Sequence, residues 1–197
     1  MDGIVQGVNV ILAMAGCVVL GILAGTQAGP RRLSAVSVYA AGLLAMVGCS
    51  ALYAWGRGGS RHSLYRQLDH SAIFAMIAGT YTPFTAMPLA GSRGLRLLAA
   101  VWAMALAGVL LKLIAPRRFE PVSLLLYLLI GWAILCDPQL LINLPARVTA
   151  LLVAGGGFYT IGIAFHRARM RFQEAIWHGF VLAAAACHYA AVVCVVA

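Results

Sequence analysis

The chain is a succession of long apolar runs separated by short polar gaps. A helix that crosses a bilayer needs about 20 mostly apolar residues. Seven runs are candidates, and the gaps between them contain the glycine, proline, serine and arginine residues typical of loops. The runs cover residues 4–24, 35–55, 71–90, 97–115, 121–136, 148–165 and 175–197. This pattern predicts an all-α, polytopic membrane protein with a bundle of seven transmembrane helices.

The fifth run is the least regular. It is free of charge from residue 121 to Cys136, but Asp137 then interrupts an apolar stretch that continues to Leu144. A carboxylate near the bilayer centre is costly. The pattern therefore predicts a helix in this region without fixing where that helix ends.

The composition indicates a chain that lies almost entirely within a membrane. Hydrophobic residues make up 63% of the chain and charged residues 10%, against about 45–50% and about 25% in soluble domains. So few polar residues cannot cover a soluble enzyme, and the same numbers exclude disordered, collagen-like and disulfide-rich secreted chains. The gaps are too short for a soluble domain, so residues 1–197 are predicted to form one transmembrane domain.

The net charge of +9 comes from 14 basic and 5 acidic residues. Seven crossings place successive gaps on alternate sides of the membrane. The side that carries the N-terminus has nine basic residues, namely Arg57, Arg61, Arg66, Lys112, Arg117, Arg118, Arg167, Arg169 and Arg171. The other side has five, namely Arg31, Arg32, Arg93, Arg96 and Arg147. The positive-inside rule then predicts a cytoplasmic N-terminus in a cell membrane, and anionic lipid rather than nucleic acid as the basic residues' partner.

Polar and ionisable side chains gather near the predicted cytoplasmic ends of the helices. They are Ser50, His62, Asp69, His70, His166, Glu174 and His178. Ionisable groups at membrane depth are costly, so each is a candidate functional residue. In a seven-helix bundle we expect these side chains at similar depth, around one cavity open to the cytoplasm.

Two interpretations of this cluster are open. Glu174 and His178 are four residues apart on one helical face, a spacing that can hold one metal ion. Asp69 could then orient or deprotonate a metal-bound water, and Ser50 could donate to an oxyanion or a lipid head group. Alternatively, the carboxylates of Glu174 and Asp69 simply favour the positive ends of two helix dipoles.

Three longer stretches are distinctive. They read SALY at residues 50–53, LDHSAIF through to GTYTPF at residues 68–84, and AIWHGFV through to CHY at residues 175–189. In order and spacing they resemble the hemolysin III family of bacterial membrane proteins, which is related to the progestin and adipoQ receptors, including the adiponectin receptors. The resemblance covers nearly the whole chain. It implies a seven-helix bundle with a cytoplasmic N-terminus, in agreement with the charge count.

The resemblance also implies zinc as a cofactor near the cytoplasmic side. In such a site one histidine ends the second helix in a Ser-x-x-x-His pattern, and two open the seventh helix in a His-x-x-x-His pattern. An aspartate at the start of the third helix supports a metal-bound water. By analogy with related membrane hydrolases, the resemblance suggests metal-dependent hydrolysis of a lipid amide.

This chain departs from that pattern at two positions. Ser50, Asp69 and His178 match it, but Ala54 and Glu174 occupy the positions of the other two histidines. A methyl group cannot coordinate a metal, and a glutamate offers harder oxygen donors. Two of the three expected metal ligands are therefore altered.

Three consequences of this departure are open. The site is inactive; or it is rebuilt with His70, His62 or His166 as the missing imidazole; or Asp69, Glu174 and His178 hold a metal in another way. The first leads to a non-enzymatic protein that is channel-like, lytic or receptor-like. The others lead to a ceramidase-like hydrolase. Both hypotheses place a membrane lipid in the bundle cavity as substrate or ligand, and the sequence gives no oligomeric state.

The sequence gives two further predictions, one for a histidine and one for a short segment. His188 lies ten residues beyond His178, about 15 Å deeper at the rise of an α-helix, too far to share that metal site, and is predicted to be a buried hydrogen-bonding residue rather than a second site. The segment 79–83 ends in Pro83 and is predicted to break or kink the third helix, with Thr80 or Thr82 satisfying the freed carbonyls.

Overall fold

The computed structural model describes residues 2–26, 29–114, 120–168 and 173–197, except the side chains of Asp2, Ile4, Glu174 and Ala175. These residues are helical apart from short turns, which confirms the all-α prediction. The helices are α1 (Asp2–Thr26), α2 (Pro30–Trp55), α3 (His62–Ala86), α4 (Ser92–Ile114), α5 (Glu120–Gly131), a 3-10 turn (Ala133–Cys136), α6 (Pro138–Ile142), α7 (Ala146–Arg167) and α8 (Gln173–Val196).

Five of these helices are long and apolar enough to cross a membrane. They are α1 from Val5, α2, α4, α7 and α8 from Ile176. The chain is therefore a multi-pass membrane protein. Within the described residues, α3 and α5 do not have the length and hydropathy that the other five helices have. The predicted count of seven crossings therefore stays a prediction.

Helix α3 occupies the centre of the fold. It contacts α2, α4, α5 and α8, and the side chains of Phe74 and Ala78 are fully buried. Two glycines bring α2 and α3 close together. A β-carbon on Gly42 would lie 3.1 Å from the carbonyl oxygen of Ala75, and one on Gly79 would lie 3.3 Å from that of Val38. Small residues allow such close helix packing in membranes.

Helix α3 stays continuous through Pro83 to Ala86, so the first of the two expected outcomes, a break, is not present, and the second, a kink, stays a prediction. Pro83 cannot donate a hydrogen bond to the preceding turn. Two threonines donate to carbonyls in this region: Thr82 Oγ1 lies 3.1 Å from the oxygen of Ala78, and Thr85 Oγ1 lies 3.0 Å from that of Tyr81. Pro83 itself is fully buried.

The predicted fifth helix is divided. Helix α5 ends at Gly131, well before Asp137, and a 3-10 turn and the short α6 follow. The hydroxyl of Tyr81 lies 3.0 Å and 2.9 Å from the carbonyl oxygens of Ile130 and Gly131, and it accepts from the amide of Ile134 at 3.3 Å. Broken helices at membrane depth need such partners for their freed backbone groups.

The polar ends of the helices meet on one side of the bundle. Trp55 Nε1 donates to the oxygen of Gly3 at 3.0 Å, and Arg66 pairs with Glu120 at 2.9 Å. We call this side the polar end. At the opposite side, Arg32 donates to the carbonyl oxygen of Val196 at 3.2 Å. Of the basic residues in the charge count, Arg117, Arg118, Arg169 and Arg171 lie outside the described residues.

Candidate functional site

A cavity of about 360 Å³ lies among α1, α2, α3, α5, α7 and α8. Most of the side chains around it are apolar. They include Leu12, Leu43, Met46, Val47, Ile73, Met76, Ile77, Leu128, Ile163, Val181 and Leu182. Pockets of this size and character bind small molecules or single lipid chains.

Three sequence-predicted residues meet at the polar end of this cavity. Ser50, Asp69 and His178 all line it, and the hydroxyl of Ser50 is a polar neighbour of the Asp69 carboxylate. The side chain of Asp69 is 20% exposed. The cavity therefore joins an apolar interior to an acceptor carboxylate and an imidazole.

The local fold explains why these residues converge. Ser50 lies near the C-terminal end of α2, and Asp69 lies within the first turns of α3. Because consecutive helices run in opposite directions and α2 packs closely on α3, these two positions face each other. His178 is one turn into α8, which also contacts α3. Residues far apart in sequence thus reach one depth.

Two amides on α1 complete this end of the cavity. Gln6 and Asn9 line it; Asn9 Nδ2 lies 3.5 Å from Gln6 Oε1, and Gln6 is only 3% exposed. Sequence reasoning missed both because it searched for ionisable groups. The available signal was two amides, one helical turn apart, within an otherwise apolar run.

The far end of the cavity also carries polar groups. Tyr159, His188 and Tyr189 line it together with Gly16. The ring of His188 lies near the carbonyl oxygen of Leu152, and its hydrogen-bonding role stays a prediction. Its centroid lies 5.7 Å from that of Tyr159, and the hydroxyl of Tyr189 donates to Gly16 at 3.0 Å.

Comparison with known proteins identifies the family of this bundle. The family described as "Haemolysin-III related" matches residues 5–189. Hemolysin-3 of Bacillus cereus is 36% identical over 94% of this chain and 85% of its own length. The Hemolysin-3 homolog of Bacillus subtilis (strain 168) is 33% identical over 94% of this chain and 88% of its own length. The chain belongs to the haemolysin-III related family.

The predicted resemblance is therefore confirmed. A weaker similarity extends to animal proteins, since the human monocyte to macrophage differentiation factor is 27% identical over 79% of this chain and 67% of its own length. No solved structure matches the chain significantly.

Within this haemolysin-III related bundle, the two altered positions lie beside the matched ones. Ala54 is one turn beyond Ser50 on α2 and offers only a methyl group. Glu174 is one turn before His178 on α8, and its side chain lies outside the described residues. The prediction that Glu174 binds a metal is therefore untested.

The three candidate replacement histidines do not line the cavity. His62 stacks on Tyr53 with ring centroids 4.8 Å apart. His166 lies against Trp177 with centroids 5.0 Å apart. His70 is adjacent to Asp69, but its Nδ1 lies 2.7 Å from the carbonyl oxygen of Arg66.

His70 belongs instead to a charged cluster between α3 and α5. Its Nε2 lies 3.8 Å from Glu120 Oε1, while Arg66 Nη2 lies 2.9 Å from Glu120 Oε2. The hydroxyl of Tyr127 donates to the carbonyl oxygen of His70 at 2.7 Å. This cluster ties α5 to α3 beside the cavity wall.

The described donors do not complete a zinc site. Zinc sites in proteins use three or four His, Cys, Asp or Glu ligands. In the part of the chain that the structure describes, no group of three such residues is placed to hold a metal ion. Asp69 and His178 supply two donors at the cavity, and Ala54 supplies none.

Proposed function

We propose that this haemolysin-III related protein binds a long-chain amphiphile in its cavity and acts as a receptor-like bundle rather than as an enzyme. The head group would lie at Ser50, Asp69 and His178, and the chain would lie among the apolar side chains. The observation that carries this proposal is the cavity itself. It is mostly apolar and ends at a carboxylate that has a hydroxyl as its neighbour.

The residues at the polar end favour a particular head group. A carboxylate accepts hydrogen bonds, whereas the amides of Gln6 and Asn9 can both donate and accept. An anionic head group would be repelled by Asp69 in a medium of low dielectric constant. We therefore propose a neutral or cationic head group with a donor, such as an alcohol, an amide or an amine.

The surrounding membrane is the source of this ligand. We propose that the chain crosses the cell membrane seven times with its N-terminus in the cytoplasm. This arrangement is supported by the alternation of basic residues and by the meeting of Trp55 with Gly3 and of Arg66 with Glu120 at one end. The head group would then be reached from the cytoplasmic leaflet.

A cavity-filling substitution tests the proposal. The test uses purified full-length protein in detergent and measures saturable binding of a monoacylglycerol. Ala185 lines the cavity, whereas Ala103 on α4 is exposed and does not. We expect Ala185→Phe to weaken binding at least tenfold and Ala103→Phe to leave it unchanged. Absence of saturable binding to the unmodified protein, or equal binding by both variants, would contradict the proposal.

A metal-dependent lipid amide hydrolase is the second candidate. The contact between Ser50 and Asp69, with His178 in the same cavity, is the observation that favours it. It stands second because Ala54 replaces one of the imidazoles that the family pattern expects. Stoichiometric zinc in the purified protein, lost in His178→Ala, together with cleavage of a ceramide, would place it first.

A further inference from the structure

The far end of the cavity is polar although it lies deep within the bundle. His188 is ten residues beyond His178 on α8, which places it about 15 Å further along the helix. Tyr159 from α7 and Tyr189 from α8 line the same region. Apolar side chains such as Val181 and Leu182 lie between the two ends along α8. The cavity therefore has a second polar region, which an apolar stretch separates from the polar end.

Polar groups at this depth need partners. A tyrosine hydroxyl can donate and accept, and a neutral imidazole has one donor and one acceptor nitrogen. In the neutral ring of His188 one nitrogen is an acceptor, whichever nitrogen carries the proton. Tyr159 lies beside this ring, and together they offer a donor and an acceptor at the cavity wall.

The hydroxyl of Tyr39 is a further buried polar group near this end of the cavity. Tyr39 is fully buried, and in the described part of the chain its hydroxyl has no hydrogen-bond partner. It lies close enough to Cys17, Tyr159 and Tyr189 to interact with them electrostatically. A buried hydroxyl without a partner is costly. Its position beside Tyr159 and Tyr189 extends the polar surroundings of this end.

We propose that Tyr159 and His188 form a second subsite that recognises a hydroxyl group on the chain of the bound amphiphile. This inference rests on the proposed amphiphile-binding function. One hydroxyl can accept from the hydroxyl of Tyr159 and donate to the acceptor nitrogen of His188. A plain alkyl chain that displaced water from this end would leave both groups unpaired, which costs affinity.

The separation of the two ends fixes where the hydroxyl must be. An extended residue spans about 3.6 Å over three bonds, or about 1.2 Å per bond. A distance of about 15 Å therefore corresponds to about 12 bonds. The predicted ligand is a mid-chain hydroxylated lipid, with its hydroxyl about twelve carbons from the head group.

Matched monoacylglycerols test this subsite. Binding of 1-stearoylglycerol, its 12-hydroxy derivative and its 3-hydroxy derivative is measured on the full-length protein in detergent. The fluorescence of Trp132 and Trp177, which both line the cavity, provides the readout. We expect the 12-hydroxy compound to bind about tenfold more tightly than the other two. Equal affinities would overturn the subsite while leaving the proposed function intact, whereas no binding of any compound would overturn both.

Variants assign the preference to the two side chains. Tyr159→Phe and His188→Phe each remove a polar atom while keeping a ring of similar size. We expect each to reduce the preference for the 12-hydroxy compound, and the double variant to abolish it. Tyr65→Phe is the control, because Tyr65 packs on Gly56 outside the cavity. A preference that persists in the double variant would overturn the assignment. The ligand comparison on the unmodified protein remains decisive if a variant fails to fold.

Discussion

Three consecutive glycines on α7 differ in what surrounds them. A β-carbon on Gly155 would lie 2.4 Å from His188 Cδ2 and 3.2 Å from the carbonyl oxygen of Ala184. A β-carbon on Gly157 would meet nothing within 4 Å. Gly155 is therefore required by the close approach of α8, which is the packing role expected of small residues in membranes.

The contrast gives a prediction for stability. Gly155→Ala has to displace the ring of His188, because the carbonyl oxygen of Ala184 on α8 blocks the other direction. We expect it to lower the free energy of unfolding by about 1–3 kcal/mol, the usual cost of overpacking. Gly157→Ala should be neutral or slightly stabilising, since alanine favours helices. Thermal unfolding of both variants in detergent checks this, and equal stability of the two would contradict it.

The altered metal positions give a second prediction at this scale. Ala54→His combined with Glu174→His restores the two imidazoles that the family pattern expects beside His178. We expect the double variant to bind about one zinc ion per chain with an affinity well above that of the unmodified protein. Metal analysis after dialysis provides the measurement. Equal zinc content in the unmodified protein would show that its own donors already suffice.

At the scale of elements, the division of the fifth helix depends on one distant side chain. Tyr81 lies 49 residues before Ile130 along the chain, yet its hydroxyl serves both sides of the break. We expect Tyr81→Phe to lower the free energy of unfolding by about 1–3 kcal/mol, because it leaves buried backbone groups without a partner. Tyr65→Phe is the control in the same thermal unfolding assay, and an equal effect of the two would contradict the role assigned to Tyr81.

The divided fifth helix also shows which structural features can be predicted from a sequence pattern. Five apolar runs become long apolar helices because length and hydropathy are local properties. Asp137 indicated an irregularity in the fifth run, but the break occurs earlier, after Gly131. Its position follows from the contact with Tyr81, which no local pattern contains. The expectation of a break at Pro83 was also wrong, since α3 continues to Ala86 in a buried segment, and burial is another property that no local pattern contains.

At the scale of the whole molecule, depth along the bundle was more predictable than lateral position. Alternating helices place Ser50, Asp69 and His178 at one level, and the structure brings all three to one cavity. The same argument placed His62 and His166 at that level, but it could not tell which way their side chains face. Both lie away from the cavity because each packs on an aromatic ring.

Two exposed serines at opposite ends of α3 test the proposed topology. Ser60 lies between α2 and α3, and Ser92 begins α4 at the opposite end; both are exposed. In a background without native cysteines, we expect a membrane-impermeant maleimide to label Ser92→Cys in intact cells, but Ser60→Cys only after permeabilisation. The reverse labelling would place the N-terminus outside, and labelling of both in intact cells would contradict an odd number of crossings between them.

The central position of α3 has a consequence for how the protein enters its membrane. The most enclosed helix is one that its own composition does not qualify as a span. Its early turns carry Arg66, Asp69 and His70, so the uncharged part of the helix covers only residues 71–86, fewer than the about 20 that a crossing needs. We infer that α3 is retained by neighbours that are already in place, and α2, which packs against it through Gly42, is the first of these to be made. We therefore expect insertion of this chain to be cooperative, because α2, which is long and apolar enough to cross the membrane, has to be in place before α3 is retained there.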